Sequence, residues 1–372
     1  MTSVLHVSQP TSAGVARVVL GLATDQRSRG VDVTVACPAG ELADDLTRAG
    51  VPWERWESAR QPGPGLAAER RALQQIVAAV APDVVHLHSS KAGLVGRLAV
   101  RGRIPTVFQP HAWSFQAAGG PTRRAAIAWE RHATRWTGMT LYCSRREQQE
   151  GAEVGITGPG RVVLNGVDPR EFTVPGESDR HEAKRELNLP VDAPVAVVLG
   201  RRSEQKGQDI AIAAWREVRS AYPSAVLLLM GGGYEDGFDR ASGVATFAAR
   251  SDPRPAIAAA DLMLSPSRWE GLSLALLEGM ASGRPTVASD VAGSREALLD
   301  GPLPPAGAVI GTGDAGALAA AVLARLRGPE LARREASSAR RRIESCFTEA
   351  STTRSVLEVY DLVINEPRSS KG

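Results

Sequence analysis

Residues Asp261–Ser289 read DLMLSPSRWEGLSLALLEGMASGRPTVAS. An apolar run, DLMLS, gives way to the polar segment PSRWEGLS. A leucine-rich stretch from about Leu274 to Ala281 then ends at Gly283, with Pro285 beyond it, before RPTVAS begins. Glycine just past a helix, followed by proline, is a stop signal, and strand, loop, helix and strand in succession form the repeating unit of a parallel sheet with crossover helices. In doubly wound sheets ligands bind outside the carboxyl ends of the strands. The pattern therefore places Glu270 in a ligand-facing loop and Glu278 in the helix that follows.

Between the two acids, Gly271, Leu272 and Ser273 offer backbone N–H groups at a helix N-terminus. With the helix dipole these form an anion site. Carboxylates accept hydrogen bonds and repel phosphate, so the expected partners of Glu270 and Glu278 are hydroxyl groups of ribose or sugar. Two acids beside an anion pocket point to a nucleotide sugar. A single glutamate would more often be a surface charge; the pairing and a second motif reverse that reading.

The second motif is GRRSEQKG, Gly200–Gly207, directly after the strand-like VAVVL. Arg201 and Lys206 flank a strand-to-helix turn and are suited to hold a diphosphate and stabilise its departure. In SQPTSAGVARVVLGLA the turn Ser12-Ala13-Gly14 precedes a helix, and Gly14 permits close approach to a ligand, although the full G-x-G-x-x-G pattern is missing. Gly231, first of three glycines in MGGGYEDG, is expected beside a nucleoside or in a plain turn. His111 follows PTVFQP, where a strand end delivers a side chain to a ligand.

The same alternation runs through the whole chain. SVLHVS, DVTVAC, DVVHLH, IPTVFQP and GMTLYCS are interleaved with helical segments near Val15–Ser28, Leu42, Ala67–Val80 and Thr122–Arg135. A Pro-, Gly- and charge-rich stretch between Phe172 and Asp192 reads as a linker. A second series follows: VAVVLGR, AVLLLMGGG, LMLSPS, RPTVAS and AVIGT. The expected division is 1–172, a linker at 173–192, a second domain at 193–345, and a C-terminal helix at 346–366, with the last residues frayed. The fold class is α/β, with two doubly wound Rossmann-like domains.

Length and composition agree. A chain of 372 residues exceeds what one core usually supports. Its 44 basic and 41 acidic residues leave a net charge of only +3, which does not suggest a nucleic-acid binder. Cys37, Cys143 and Cys346 are odd in number and widely spaced, as expected of reduced, buried thiols. Neither a signal peptide nor a bilayer-spanning run is legible, so a cytoplasmic location is expected. No D-x-D occurs, and no His/Cys/Asp cluster has ligand spacing; neither a metal nor a cofactor is expected.

Taken together these motifs resemble glycosyltransferase family 4, the large retaining group with the GT-B fold. Its Glu-x7-Glu signature appears as Glu270 to Glu278, its Gly-Arg-x4-Lys-Gly as Gly200 to Gly207, and its Asn-Gly-Val-Asp-x3-Phe as Asn165 to Phe172. The resemblance implies an active site in the crevice between the two domains. Glu278 would hold the donor ribose, while Glu270 and the amides of Gly271, Leu272 and Ser273 hold the donor sugar and phosphates. Arg201 and Lys206 would hold the diphosphate, His111 would lie near the reacting sugar, and Gly14 would close over the donor phosphate. It further implies metal-independent retaining transfer of a hexose-type sugar from a UDP- or GDP-sugar, with the C-terminal helix bracing the amino-terminal domain. The chain departs from the family at Ala13 and Ser273, where glycine is common, and in a short, proline-rich Val244–Asp261, which leaves the nucleotide open.

From Lys91 to Arg146 ten basic residues (Lys91, Arg97, Arg101, Arg103, Arg123, Arg124, Arg131, Arg135, Arg145 and Arg146) face a single acid, Glu130, among Phe108, Trp113, Phe115, Trp129 and Trp136. Such a surface suits an anionic membrane at the inner face of the cell; a solvated helix over an aromatic core fits equally well. HSSKAGLVGRLA and PHAWSF are similar to segments of exopolysaccharide and capsule glycosyltransferases, which implies a glycan or polyprenyl-linked acceptor. Rival readings are a nucleotide-sugar epimerase or hydrolase of the same fold, and a non-catalytic nucleotide-sugar binding module.

Overall fold

A computed structural model describes residues 2–250 and 252–365, and divides into two compact units. Unit 1 comprises Met1–Asn165 with Glu349–Gly372, and unit 2 comprises Gly166–Thr348. The terminal residues expected to fray lie outside the described residues.

Unit 1 is built on a wholly parallel sheet. Its strands are β1 (Ser3–Ser8), β2 (Asp32–Cys37), β3 (Trp53–Arg55), β4 (Val84–His88), β5 (Thr106–Gln109), β6 (Met139–Tyr142) and β7 (Gly160–Val162), in the order β3-β2-β1-β4-β5-β6-β7. The interleaved helices are α1 (Ala13–Ser28), α2 (Glu41–Arg48), α3 (Leu66–Val80), α4 (Ser89–Val100), α5 (Gly120–Ala133) and α6 (Arg145–Glu153). Strands covered by helices on both faces are buried along their whole length, as β4 is: all five of its residues, three apolar and two histidine, are buried. In α1, Ala16, Val19, Ala23 and Gln26 form the buried stripe at helical spacing. The C-terminal helix, Glu349–Asn365, packs against α1, β4 and β5, with Val356, Val359, Tyr360 and Val363 inward.

Unit 2 orders its strands β10-β11-β9-β8-β12-β13-β14. These are β8 (Val195–Leu199), β9 (Val226–Met230), β10 (Gly237–Asp239), β11 (Val244–Phe247), β12 (Leu262–Ser265), β13 (Thr286–Ser289) and β14 (Gly307–Ile310). The edge strand β10 is antiparallel to β11, a hairpin that the sequence reading did not anticipate. The helices are α7 (Glu177–Glu186), α8 (Gln208–Ala221), α9 (Arg254–Ala259), α10 (Leu274–Ala281), α11 (Ser294–Leu298), α12 (Ala315–Arg327) and α13 (Pro329–Cys346). The stretch expected as a linker at 173–192 holds α7, which packs on α9. Lys184 anchors it by donating to the Ala193 and Val191 carbonyls at 2.8 and 3.1 Å. Cys37 and Cys143 are buried as expected, whereas Cys346, the last residue of α13, is exposed.

Two glycines separate steric from conformational need. Gly207 has φ +63°, and a Cβ there would stand 2.0 Å from the Pro266 carbonyl oxygen. Gly313 has φ +85° with nothing within 4 Å of the same atom. Gly313→Ala should cost only the left-handed backbone term, about 1 kcal/mol. Gly207→Ala should cost clearly more, because backbone must move as well. Urea unfolding of both variants checks the order, and equal losses would show that the loops yield freely.

Candidate donor site and a buried histidine chain

Four loops gather at the carboxyl ends of the adjacent strands β9, β8, β12 and β13. The β8 loop carries Gly200–Gly207, and its close neighbour is the glycine turn after β9. A Cβ on Gly231 would meet the Gly200 carbonyl oxygen at 2.2 Å, and the Arg202 N–H donates to the Gly232 carbonyl at 2.8 Å. Glycine at 231 is therefore required by backbone stacking. The side chain of Gln208 braces the turn from within, donating to the Gly200 and Arg201 carbonyls at 3.2 and 3.0 Å.

The β12 loop closes on the same turn. The Arg268 N–H donates to the Gln205 carbonyl at 2.7 Å, and Gln205 Nε2 donates to the Trp269 carbonyl at 3.1 Å. Arg268 also forms an ion pair with Asp209 at 2.6 Å. Between the zipped loops Lys206 Nζ stands 2.6 Å from Glu270 Oε1, which also accepts from Ser267 Oγ at 2.8 Å. The sequence reading assigned Lys206 to phosphate and Glu270 to sugar; the structure pairs them with each other. Ser267 and Gln208 carry no motif signal, because an isolated serine or glutamine acquires a role only when two loops meet.

Beyond Glu270, Ser273 caps α10 by accepting from the Leu276 N–H. This explains how a hydroxyl residue replaces the common glycine: the side chain turns back onto its own helix and leaves the amides of Gly271 and Leu272 in place. From the β13 loop Gly293 approaches them so closely that a Cβ would lie 2.7 Å from the Gly271 carbonyl oxygen. Helix α10 is buried along nearly its whole length, and Glu278 is 2% exposed within it. Arg201 is on the surface of the turn. Unit 2 thus brings Arg201, Lys206, Gly231, Gly271, Leu272, Ser273, Glu270 and Glu278 onto neighbouring strand ends.

Gly14 and His111 belong to unit 1. Ala13, not Gly14, takes the left-handed conformation, with φ +62°, and nothing lies within 4 Å of a Cβ placed on Gly14. His111 and Ala112 also have positive φ, +53° and +86°. Glu147 holds this unusual turn: its two carboxylate oxygens accept from the Ala112 and Cys143 N–H groups, each at 2.6 Å. Burial, partly offset by these two amides, pushes the Glu147 carboxyl up to about 7.

His111 was expected to face the reacting sugar, yet both ring nitrogens point inward. Nε2 lies 3.1 Å from His88 Nδ1, and Nδ1 lies 3.5 Å from Cys143 Sγ. From His88 the chain of hydrogen bonds continues to His6 at 2.9 Å and Gln26 at 2.9 Å. His86 joins it through Tyr360, whose hydroxyl is 2.7 Å from His86 Nδ1. Burial lowers His6 to about 4 and His111 to about 3, and lowers His86 and His88 well below the usual imidazole value. Sequence reading singled out only His111, since residues 6, 86 and 88 converge through strand pairing.

Of the ten basic residues counted in 91–146, two are buried. Lys91 pairs with Glu69 at 2.6 Å, and Arg97 pairs with Glu130 at 2.7 Å while lying over the Phe108 ring at 4.0 Å. Phe108, Trp113 and Phe115 belong to the core beneath them. The other eight, all arginine, are exposed, with Trp129 and Trp136 half-buried among them. No helix among the described residues is long and apolar enough to cross a membrane.

Two doubly wound sheets of this kind, parallel but for the edge strand β10, define a Rossmann-like α/β class. Glycosyltransferase Family 4 matches residues 12–171 and Glycosyl transferases group 1 matches residues 193–327. The chain is 30% identical to the D-inositol 3-phosphate glycosyltransferase of Thermomonospora curvata over 75% of its own length and 71% of that protein. It is 27% identical to the Escherichia coli UDP-Gal:alpha-D-GlcNAc-diphosphoundecaprenol alpha-1,3-galactosyltransferase, over 57% of this chain and 59% of that one. Among solved structures, Anabaena Alr3699/HepE in complex with UDP-glucose superposes with a TM-score of 0.82 at 21% identity, over 97% of this chain and 100% of the other. The chain belongs to glycosyltransferase family 4 and has the GT-B fold.

Two measurements follow. In a double-mutant cycle of Lys206→Met and Glu270→Gln, each single change strands the other partner, so the double variant should be less damaged than the sum by roughly 0.5–3 kcal/mol in unfolding free energy. Additive losses would mean that the pair does not act as one. Acidification should destabilise unit 1. Between about pH 4 and 6.5 the unfolded chain binds protons on His6, His86, His88 and His111 that the folded chain refuses. Folded Glu147, with its raised pKa, keeps one proton more than the unfolded chain does between about 4.5 and 7. The net uptake of about three protons on unfolding predicts stability falling by about 4 kcal/mol per pH unit near pH 5. Urea midpoints at pH 7, 6 and 5, on protein freed of metal by unfolding and refolding in a chelator, check this; a flat profile contradicts it.

Proposed function

We propose that the chain moves a hexose-type sugar from a UDP- or GDP-sugar to a hydroxyl of a glycan or lipid-linked glycan acceptor, with retention and without a metal on the diphosphate. The observation that carries this reading is the Lys206–Glu270 pair, 2.6 Å apart beside the Gly271–Ser273 helix N-terminus. A fixed cation, a carboxylate and the dipole of a helix N-terminus meet the separate needs of a leaving diphosphate and a hydroxylated sugar. When donor binds, its phosphates compete with Glu270 for Lys206 and leave the carboxylate to accept from sugar hydroxyls. Arg201 supplies a second cation, Glu278 holds the ribose, and Gly231 admits the nucleoside.

The family resemblance assigns Gly14 of unit 1 to the donor phosphates and His111 to the sugar, the latter through its main chain and ring edge, since both ring nitrogens are engaged elsewhere. Retention follows by front-face attack, in which the leaving phosphate takes the acceptor proton. The name of one relative, a galactosyltransferase acting on a diphosphoundecaprenol-linked sugar, supports a lipid-linked acceptor. The eight exposed arginines and two half-buried tryptophans of 91–146 would then rest on anionic lipid at the cytoplasmic face of the membrane.

Calorimetry with UDP and GDP, together with radiolabelled transfer assays, tests the assignment. Glu278→Gln should weaken binding of the preferred nucleoside diphosphate by roughly 1.5–3 kcal/mol, the usual value of a charge-assisted hydrogen bond. Glu270→Gln should bind it at least as well as the wild type while transfer collapses, because its partner is the sugar that free nucleotide lacks. Weaker binding by Glu270→Gln than by Glu278→Gln would overturn this division of roles.

A further inference from the structure

The pleat of β1 and β4 gathers three imidazoles on one face of the unit 1 sheet. His6 and His86 are register partners on neighbouring parallel strands, and His88 lies two residues further along, on the same face. All three are completely buried, with ring centroids 4.0–5.3 Å apart. Each has one nitrogen turned away from the group and held by a neighbour. His6 Nε2 meets Gln26 Oε1 at 2.9 Å, His86 Nδ1 meets the Tyr360 hydroxyl at 2.7 Å, and His88 Nδ1 meets His111 Nε2 at 3.1 Å.

Of the other three nitrogens, two are paired only with each other. His6 Nδ1 and His88 Nε2 share one hydrogen bond of 2.9 Å. His86 Nε2 and Gln109 Oε1 each lack a hydrogen bond of good geometry among the described residues, although the Gln109 side chain lies close enough to His86 to interact with it. Buried polar atoms left in this way are rare and costly. One ligand atom from each histidine lies within 4.8 Å of the other two.

We infer that His6, His86 and His88 form a buried site for a first-row transition-metal ion of the Zn²⁺ type, bound through His6 Nδ1, His86 Nε2 and His88 Nε2. Zn–N bonds of about 2.0–2.1 Å in a tetrahedral set place ligand nitrogens roughly 3.3 Å apart, which ring shifts of about an ångström achieve here. The surrounding shell already has the form that ligating histidines require, an outward N–H given to a carbonyl, hydroxyl or imidazole. Binding needs the inward nitrogens unprotonated. His88 moves its proton to Nδ1 and donates to His111 Nε2, and His111 moves its own to Nδ1 and donates to Cys143 Sγ. Each ring exchanges a proton between its own two nitrogens, so none is lost overall. Gln109 Oε1 is at hand as an oxygen ligand. Because no imidazole reaches solvent, the ion enters as the chain folds and ties β1 and β4 to the C-terminal helix.

Full-length untagged protein, expressed with zinc in the medium and passed through a chelating column, tests this by elemental analysis. The wild type should keep about one ion per chain. His86→Asn preserves a polar atom toward Tyr360 and leaves the His6–His88–His111 chain intact, but lacks the inward nitrogen; its zinc should fall to background. Wild type without zinc, or His86→Asn that retains it, overturns the site. Should the variant not fold, X-ray absorption of the wild type decides: an imidazole shell of three supports the assignment, and a shell of one or none refutes it. The Co²⁺-refolded wild type adds a second reading, since only a four-coordinate nitrogen-rich site gives intense visible d–d bands.

Discussion

The approach of Gly207 to the Pro266 carbonyl sets how the charged loops of unit 2 lie against each other. A Cβ at 207 would intrude to 2.0 Å, so the β8 and β12 loops can lie this close only with glycine there. The next residue on one side is Lys206, and on the other side Ser267 leads to Glu270. One backbone contact therefore fixes the distance between a cation and a carboxylate that are far apart in sequence. The Gln205–Arg268 backbone bond and the Gln205 side chain then hold the loops in register. The ion pair is mostly shielded, with Lys206 22% and Glu270 10% exposed at their side chains, so solvent screens it less than it would a fully exposed pair.

Unit 1 solves a different problem. Four imidazoles are placed in an interior where a charged form is expensive, and they remain neutral by bonding to one another in series. Alternate hydrogen bonding makes the direction of each link depend on the next, so the tautomer of His111 is set as far away as Gln26. Glu147 completes the arrangement from the opposite side by fixing the strained His111–Ala112 backbone through two amides. The strain sits where a ligand-facing turn would need it, and the carboxylate that sustains it is itself held by a helix N-terminus, with Ser144 as the cap.

Much of this architecture was legible in the chain. Strands such as DVVHLH and VAVVL announce themselves because burial on both faces demands continuous apolar runs, and the limits of α10 follow from its stop signals at Gly283 and Pro285. The short strands β3, β7, β10 and β11 were not legible: three or four residues carry too little periodicity, and their pairing is decided by the neighbours they find. The segment 173–192 looked like a linker because its helix is largely charged, and its packing rests on few apolar contacts such as Ala183 and on Lys184 reaching two carbonyls. The basic stretch 91–146 misled in part for the converse reason. Arg97 and Lys91 look like surface charges in the sequence, but each meets a glutamate that lies far along the chain and is buried with it.

The sequence by itself determined the α/β class, the two series of strands, and the family, because Gly200–Gly207, Asn165–Phe172 and Glu270–Glu278 are local patterns whose spacing is fixed by turns and helix pitch. Only the tertiary structure decided that Lys206 and Glu270 pair, that His111 faces inward, and that His6 meets His86 and His88. Such meetings depend on strand order and register, which bring together side chains as much as 82 residues apart. No local periodicity records them, since the energy that selects them arises from burial and hydrogen bonding between segments rather than within one.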